Sequence, residues 1–281
     1  MKILITGSKG MLAKTVIEKL EAGNELICVD IAELDITDQE AVTKLVKEIA
    51  PDYIINCAAY TAVDKAEEEK EMAEKVNVLG PLNLAVAARE TDTVLIHIST
   101  DYVFSGEKEI TSEYLEEEPT APVTVYGGTK ERGEKAIWEN WEKHYILRTA
   151  WLYGDGNNFV RTMLKLGKEK DELKVVNDQH GSPTYTEDLA DIIKQIIDKK
   201  ISYGIYHTTN LGFTTWYDFT KKIFEIAKID CKLNPCTTEE FPRPAKRPKN
   251  SKLSKSKISA AGIKIPNYGD ALQRYLNKEG E

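Results

Sequence analysis

Residues 2 to 13 read KILITGSKGMLA, an apolar run that ends in glycine and leads into a helical pattern. Glycine lets a backbone turn tightly and approach a pyrophosphate, which then lies at the positive end of the following helix. Gly7 and Gly10 fill the first two positions of this motif, and Ala13 stands where a third glycine often occurs. Because the motif follows a predicted strand and opens a predicted helix, it indicates a dinucleotide site.

Short apolar runs alternate with helical stretches from this point to about residue 150. The runs that are typical of strands are KILIT (2–6), ELICVD (25–30), YIINC (53–57), TVLIHI (93–98) and HYILRT (144–149). Right-handed crossovers between such strands place helices on both faces of a parallel sheet. We therefore predict an α/β fold with a doubly wound parallel sheet of the Rossmann type. The first long crossover helix, within residues 37–50, is predicted to use Thr37 as its cap.

The alternation loosens after Trp151. Residues 186–200 and 214–228 have the apolar period of amphipathic helices, and residues 203–209 between them are typical of a strand. We predict a dinucleotide-binding domain at 1–151 and a smaller C-terminal substrate-binding lobe at 152–281, with helix 186–200 and strand 203–209 returning to the Rossmann sheet.

The composition argues against several classes of function. The 281 residues carry a formal net charge of -8, which repels nucleic acid and anionic membranes. No run approaches the ~18 apolar residues of a membrane span, and the chain opens on a strand rather than a signal segment. We expect a cytoplasmic protein with no nucleic-acid or membrane partner. The four cysteines lack the spacing of a zinc site or a disulfide framework, and we assign no metal ligand.

Asp30 ends the second predicted strand, 20 residues after Gly10. A carboxylate at this place accepts hydrogen bonds from the adenosine ribose hydroxyls and repels a 2′-phosphate. The following residues, IAELD, contain no arginine to neutralise such a phosphate. The sequence therefore predicts NADH as the preferred cofactor, with NADPH as the weaker alternative.

Two tyrosines are followed four residues later by lysine, Tyr126 with Lys130 and Tyr217 with Lys221. Residues four apart share one face of a helix, where an ammonium can lower the pKa of a phenol and make it a general acid. The second pair lies within the core-like stretch WYDFTKKIF, so we do not expect it to be catalytic. The first pair opens the helix after the fourth strand, which ends in Ser99, Thr100 and Asp101. Carboxyl ends of parallel strands border the ligand crevice, so we expect these residues to face Tyr126.

Several longer motifs occur in order along nearly the whole chain. They are INCAAYTAVDKAE (55–67), HISTDYVFSG (97–106), VYGGTKERGEK (125–135), RTAWLYG (148–154), DQHGSPTYTEDLA (178–190) and EEFPRPAKRP (239–248). With them the chain resembles the dTDP-4-dehydrorhamnose reductases, a family of the extended short-chain dehydrogenase/reductases. The resemblance implies NAD(P)H-dependent reduction of the C4 ketone of dTDP-4-dehydro-6-deoxy-L-mannose to dTDP-L-rhamnose, for cell-surface polysaccharide. It also allows a homodimer.

The resemblance implies a role for each matching position. Tyr126 is the proton donor, Lys130 lowers its pKa and holds the nicotinamide ribose, and Thr100 completes the catalytic set. The implied cofactor contacts are Gly7, Gly10, Met11, Leu12, Asp30, Asp35, Ile36, Ala59, Tyr60, Thr61, Tyr126 and Lys130. The implied sugar contacts are Thr100, Asp101 and Trp151. The YGGTK stretch departs from the family pattern by an extra glycine beside the tyrosine.

The stretch from 243 to 257 holds seven Lys or Arg and no acid. It fits either a solvated surface loop or a contact of Arg243 or Arg247 with the substrate diphosphate, which arginine binds in a bidentate manner. His97 and His207 lie in apolar strands and are interpreted as core histidines. Two other functions remain open: a non-catalytic nucleotide-binding subunit like the one that accompanies methionine adenosyltransferase, and a reductase of another 4-keto nucleotide sugar.

Overall fold

The chain is described over residues 1–279 by a computed structural model. In chain order the strands are β1 (Lys2–Thr6), β2 (Glu25–Val29), β3 (Tyr53–Asn56), β4 (Val94–Thr100), β5 (His144–Thr149), β6 (Leu152–Tyr153), β7 (Glu172–Val176), β8 (His180–Gly181), β9 (Thr184–Tyr185), β10 (Gly204–His207), β11 (Thr214–Thr215) and β12 (Lys232–Cys236). The helices are α1 (Met11–Leu20), α2 (Gln39–Ile49), α3 (Val63–Ala66), α4 (Lys70–Glu74), α5 (Gly80–Glu90), α6 (Val125–Asn140), α7 (Phe159–Glu169), α8 (Thr186–Lys199), α9 (Trp216–Ala227), α10 (Ser256–Ala260) and α11 (Tyr268–Glu279). A π-helical turn, Lys75–Leu79, joins α4 to α5, and a 3-10 turn, Asp101–Val103, follows β4.

One parallel sheet forms the centre of the molecule, in the order β10-β5-β4-β3-β1-β2. The chain runs from β1 to β2 at one edge and then returns to β3 on the other side of β1, so the strand order reverses between β1 and β3. In doubly wound sheets, ligands bind outside the carboxyl ends of the strands at such a reversal. The predicted α/β class with a Rossmann-type sheet is confirmed.

Alternate residues of each strand pack on opposite faces of the sheet, as the strand period requires. Ile3 and Ile5 of β1 join the core under α1 and α8, whereas Leu4 joins the core under α2 and α5. All three side chains are fully buried, and each such burial contributes roughly 1.5–3 kcal/mol. Because both faces of the strand are apolar, a layer of helices must cover each face of the sheet.

The five predicted strands occur within two residues of their predicted bounds. β4 extends beyond the apolar run 93–98 to Thr100, because Ser99 and Thr100 keep their parallel pairing with Arg148 and Thr149, and this agrees with the predicted strand end. One detail differs. The prediction that Thr37 caps α2 was wrong.

The residue that caps α2 is Asp38, one position after the predicted cap. Its Oδ1 accepts hydrogen bonds from the backbone N–H groups of Glu40 and Ala41, both at 3.0 Å. Thr37 belongs to the preceding turn, where its own N–H donates to Asp35 at 2.9 Å.

The C-terminal lobe has its own core of aromatic side chains between α7, α9 and α11, including Tyr153, Tyr185, Phe219 and Tyr275. Its small parallel pairing of β7 with β12 was not predicted, because Pro235 within β12 is unusual in a strand. β10 pairs with β5, and α8 packs on α1. The division into domains at residue 151 stays a prediction. No helix within residues 1–279 combines the length and apolar character needed to cross a bilayer.

Candidate active site

A cleft of about 420 Å³ opens at the carboxyl ends of β1, β3, β4 and β5. Ten of the predicted site residues line it: Gly10, Met11, Leu12, Ala59, Thr61, Thr100, Asp101, Tyr126, Lys130 and Trp151. Seven others lie outside its lining: Gly7, Asp30, Asp35, Ile36, Tyr60, Arg243 and Arg247. The topology thus brings together residues from five separate predicted motifs.

The glycine turn forms one wall of the cleft. Gly7 has a φ of +64°, and a Cβ there would lie 2.7 Å from the backbone nitrogen of Ala58, so only glycine fits. Gly10 precedes α1 without a side-chain cap, and the first turn of α1 contains no acidic residue. The first N–H groups of α1 are therefore available to an anion at the positive end of the helix. This arrangement fits the pyrophosphate of a dinucleotide.

Asp30 lies beside the glycine turn rather than inside the cleft. Its two carboxylate oxygens accept hydrogen bonds of 2.9 Å from the backbone N–H groups of Lys9 and Ile31. These bonds hold the pKa of Asp30 below its usual range. A negative charge is therefore fixed next to the turn, where the ribose of a bound dinucleotide is expected.

Asp35, Ile36 and Tyr60 have structural contacts of their own. Ile36 is buried in the core under α2 and α5, and Asp35 accepts the Thr37 N–H described above. The Tyr60 phenol donates to Glu69 at 2.5 Å, which raises the pKa of Tyr60 to about 12. Cofactor contact by these three residues stays a prediction.

Tyr126 and Lys130 form the opposite wall of the cleft. Both lie on the first turns of α6, whose start is capped by the Thr124 hydroxyl accepting the Gly127 N–H at 3.0 Å. Tyr126 is 9% exposed and Lys130 2%. The Tyr126 ring meets the edge of the Tyr102 ring at a centroid distance of 5.5 Å. The helix therefore presents a phenol and an amine to one ligand space.

The pKa of the Tyr126 phenol is raised to about 12 by burial, and contact with the Thr100 hydroxyl partly opposes this rise. The lowering of this pKa by Lys130 stays a prediction. The Lys130 amine contacts the Ile98 carbonyl at 2.7 Å and His97 at 3.1 Å, and burial lowers the pKa of Lys130 to about 8. Tyr126 is protonated at neutral pH and has a proton to donate.

Thr100 and Asp101 connect β4 to the C-terminal part of the chain. The Thr100 hydroxyl donates to Asp101 at 3.0 Å and accepts the Tyr102 N–H at 3.2 Å, while the Ser251 hydroxyl donates to the other Asp101 oxygen. Burial raises the pKa of Asp101 to about 6. The carboxyl group is held inside the protein, and sugar contact by Asp101 stays a prediction.

The glycine beside Tyr126 has a steric reason. A Cβ on Gly127 would lie 2.2 Å from the backbone oxygen of Tyr102, whereas a Cβ on Gly128 would meet only the flexible end of Arg132 at 3.3 Å. The start of α6 thus packs directly on the turn after β4. A side chain at position 127 would therefore push the start of α6 away from this turn.

Replacing Gly127 with alanine should lower kcat/KM by about 10²-fold, because a shift of roughly 1 Å at the start of α6 misplaces the phenol. Gly128→Ala, one residue along the same helix, is the matched control and should change kcat/KM little. Steady-state kinetics of both variants with the same ketone substrate measure the difference. Equal activity of the two variants would show that the backbone contact does not position Tyr126.

Trp151 forms a further part of the wall, in an unusual backbone conformation with φ at +50°. Its ring stacks on Trp216 at a centroid distance of 3.6 Å and covers Gly181, where a Cβ would lie 2.8 Å from the indole. Trp216 Nε1 donates to Gln179 at 3.1 Å. The sequence interpretation assigned Trp216 to a core stripe. It missed the stack on Trp151, because no local signal links residues 65 positions apart.

The proline-rich loop, residues 241–248, is bound to α3 by an ion pair and hydrogen bonds. Arg247 donates to Asp64 Oδ2 at 2.7 Å, and the Ala245 N–H donates to Asp64 Oδ1 at 3.2 Å. Arg243 lies over the Phe241 ring at 4.8 Å. Because Val63 on α3 lines the cleft, this loop is held close to the ligand space. The Asp64 contact was not predicted for Arg247.

The second Tyr/Lys pair lies elsewhere. Tyr217 and Lys221 line a separate shallow pocket of the C-terminal lobe with Phe224 and Leu233, away from the glycine turn. By contrast, His97 is fully buried as predicted but contacts Lys130, a proximity that the sequence interpretation missed. The position of His97, two residues before Ser99 on β4, is the signal that could have revealed its contact with Lys130.

Known proteins resemble this chain over nearly its whole length. Residues 1–280 match the family model described as the RmlD substrate binding domain. The dTDP-4-dehydrorhamnose reductase of Escherichia coli K12 is 41% identical over 99% of this chain and 98% of its own. A crystal structure of a dTDP-4-dehydrorhamnose reductase from Clostridium acetobutylicum is 47% identical, with a TM-score of 0.97 and full coverage of both chains.

A second solved structure, dTDP-4-dehydrorhamnose reductase from Bacillus anthracis in complex with NADP, is 41% identical. It has a TM-score of 0.94 and covers 99% of each chain. Both the family match and these relatives extend over nearly the whole chain, including the glycine turn and α6. This protein therefore belongs to the family of the RmlD substrate binding domain, the dTDP-4-dehydrorhamnose reductases.

Proposed function

We propose that the protein is an NAD(P)H-dependent oxidoreductase that reduces the C4 ketone of dTDP-4-dehydrorhamnose to give dTDP-L-rhamnose. The observation that carries this proposal is the presence of Tyr126 and Lys130 in the same cleft as the glycine turn, in a chain that belongs to the reductase family. A cytoplasmic location and a homodimer stay predictions.

The residues present can perform this reduction. Backbone N–H groups at the start of α1 would hold the cofactor pyrophosphate, and Lys130 would hold the nicotinamide ribose. When bound, the reduced nicotinamide supplies the hydride that the C4 carbon receives. The Tyr126 phenol gives its proton to the C4 oxygen, and the Thr100 hydroxyl, with its hydrogen turned from Asp101 to the substrate, would hold that oxygen beside the phenol. One hydride and one proton convert the ketone to the alcohol, so the reaction balances.

Purified protein assayed with NADH and a panel of nucleotide sugars tests the proposal. We expect turnover with dTDP-4-dehydrorhamnose, less with other 4-keto nucleotide sugars, and very little with the free 4-keto sugar, which lacks the diphosphate. Activity on a different nucleotide sugar alone would identify another reductase. Absence of turnover on the whole panel, together with tight binding of a methionine adenosyltransferase, would contradict catalysis and favour the regulatory subunit.

We further propose that Arg243 and Arg247 contact the substrate diphosphate. Arg247 forms an ion pair with Asp64 through a single N–H group, and its planar guanidinium could exchange this carboxylate for a phosphate, which arginine binds in a bidentate manner. Arg243 on the same loop is exposed. The failure of the free sugar in the panel would support this contact, since that substrate differs in lacking the group these arginines recognise.

NADH is the proposed preferred cofactor, although the Bacillus anthracis relative was solved with NADP. The support is the fixed charge of Asp30, which would repel a 2′-phosphate. We expect Asp30→Ser to shift the ratio of dissociation constants towards NADPH by about 10-fold, equal to ~1.4 kcal/mol. Titration of nicotinamide fluorescence measures both constants.

Asp35→Ser is the matched control for Asp30→Ser. Asp35 lies five residues after Asp30 but makes no hydrogen bond to the glycine turn in the described structure. It should therefore leave the ratio of the two constants unchanged. The proposed preference fails if wild-type protein binds NADPH more tightly than NADH, or if Asp30→Ser leaves the ratio as it was.

A further inference from the structure

Trp151 lies in the cleft wall on a strained backbone. Its φ of +50° is uncommon for a large side chain, and such a conformation persists only where the surroundings fix it. The Trp151 carbonyl accepts the Thr184 N–H at 3.1 Å, and the Ala150 carbonyl accepts the Thr184 hydroxyl at 2.7 Å. These two bonds fix the backbone, so the orientation of the indole depends on what packs against its ring.

Trp216 is the aromatic residue that packs on this indole. The two rings are nearly parallel, at 12°, with centroids 3.6 Å apart. Gly181 also lies against the indole of Trp151, because a Cβ on Gly181 would be 2.8 Å from Cε2, so a side chain there would displace the ring. Trp151 belongs to the cleft lining, whereas Trp216 lies outside it. Trp216 therefore supports a residue of the cleft wall without forming that wall itself.

A directed chain of hydrogen bonds fixes Trp216 in turn. An indole N–H can only donate, so the Gln179 atom that lies 3.1 Å from it is the oxygen. The Gln179 NH₂ group then donates to the Thr238 hydroxyl at 3.0 Å, and this hydroxyl donates to Asp178 at 2.7 Å. Gln179 is 7% exposed, so its donors and acceptor need partners within the protein. The chain gives the Trp216 ring one preferred orientation.

We propose that Trp216 is a positioning residue, which holds the Trp151 indole as a flat apolar surface for the sugar ring of the substrate. The inference rests on the reductase function proposed above and on the sugar contact that the family resemblance implies for Trp151. It adds that the C-terminal lobe orients this contact, through Trp216 and Gln179. Such a surface fits the C–H face of a pyranose ring. Loss of Trp216 should therefore weaken binding of the sugar and leave binding of the nucleotide unchanged.

Trp216 also packs within the aromatic core of the C-terminal lobe. Its ring centroid is 4.3 Å from that of Phe159, and its helix, α9, buries Phe219 and Phe224 in the same core. A purely structural role of Trp216 would reduce the stability of the lobe without a selective effect on the sugar. Two measurements separate that role from positioning.

Circular dichroism tests the stack in the full-length protein without any ligand. Two indoles in such close contact couple their electronic transitions and give an exciton couplet. The couplet should disappear in both Trp151→Phe and Trp216→Phe, and it should weaken in Gln179→Leu. Trp138→Phe is the matched control, since Trp138 lies on α6 and is 53% exposed. Retention of the couplet in Trp216→Phe would show that the two indoles do not stack, and it would overturn the proposal.

Calorimetric titration of the NADH-saturated protein with dTDP-L-rhamnose and with dTDP tests the function of the stack. Trp216→Leu should lower the affinity for dTDP-L-rhamnose by about 10-fold, near the upper end of what an aromatic pair contributes, and leave the affinity for dTDP unchanged. Trp216→Phe should retain most of the affinity, because phenylalanine still stacks. Phe224→Leu is the matched control. It truncates the same core on the same helix, so it should lower the unfolding temperature and change neither affinity.

The pattern of affinities decides the inference. An unchanged affinity of Trp216→Leu for dTDP-L-rhamnose would exclude positioning, and an equal loss of dTDP affinity would make the role of Trp216 structural. Equal affinity of the wild type for the two ligands would remove the sugar contact of Trp151, and the inference with it. A protein that shows the expected affinities but does not reduce the ketone would contradict only the proposed function.

Discussion

Replacing Tyr126 with phenylalanine should lower kcat by about 10²–10⁴-fold, the contribution typical of a positioned proton donor. The phenol lines the cleft, is protonated at neutral pH and contacts the Thr100 hydroxyl. Phenylalanine keeps the ring and its edge contact with Tyr102, so folding and cofactor affinity should be retained. The loss should therefore appear in kcat rather than in the dissociation constant of NADH.

Tyr217→Phe provides the matched control, since Tyr217 also precedes a lysine by four residues but lines a different pocket. Its kcat should equal that of the wild type. Single-turnover measurement of nicotinamide oxidation separates the chemical step from product release for both variants. If Tyr126→Phe retains wild-type kcat while folded and saturated with cofactor, proton donation must be assigned to another group.

Local patterns predicted the sheet and both walls of the cleft. Ile3 and Ile5 alternate with Leu4 within five residues, and the glycine turn follows directly, so each signal lies within one element and its neighbour. Tyr126 and Lys130 are one helical turn apart, and their meeting with Thr100 follows from the rule that strands of a doubly wound sheet end at one crevice. These features need no knowledge of side-chain contacts between distant segments.

The features that the sequence did not predict depend on side-chain contacts between distant segments. The stack of Trp151 on Trp216 and the pairing of Arg247 with Asp64 join segments that no sequence period relates. The burial of Tyr126 and Lys130 was missed for a related reason. Helical spacing places Lys130 one turn from the phenol, but it cannot tell that His97 and the Ile98 carbonyl contact the amine or that the fold buries both side chains.

A buried ion pair between Arg148 and Glu134 connects two of the elements that carry site residues. Arg148 on β5 donates to Glu134 on α6 through Nη2 at 2.7 Å and Nε at 3.0 Å, and Ser99 on β4 donates to the same carboxylate. The two side chains are 3% and 4% exposed. The pair therefore ties together the strand that carries Thr100 and the helix that carries Tyr126.

Glu134→Gln should reduce the free energy of unfolding by about 3–5 kcal/mol, because it leaves the Arg148 charge buried and uncompensated. Glu74→Gln is the matched control. It breaks the pair with Arg132, whose side chain is 49% exposed, and such surface pairs contribute about 0–1 kcal/mol. Urea unfolding followed by tryptophan fluorescence measures both variants. A difference of under about 1 kcal/mol between them would mean that solvent or a relaxed side chain compensates Arg148, and that α6 is held over β4 by packing rather than by charge.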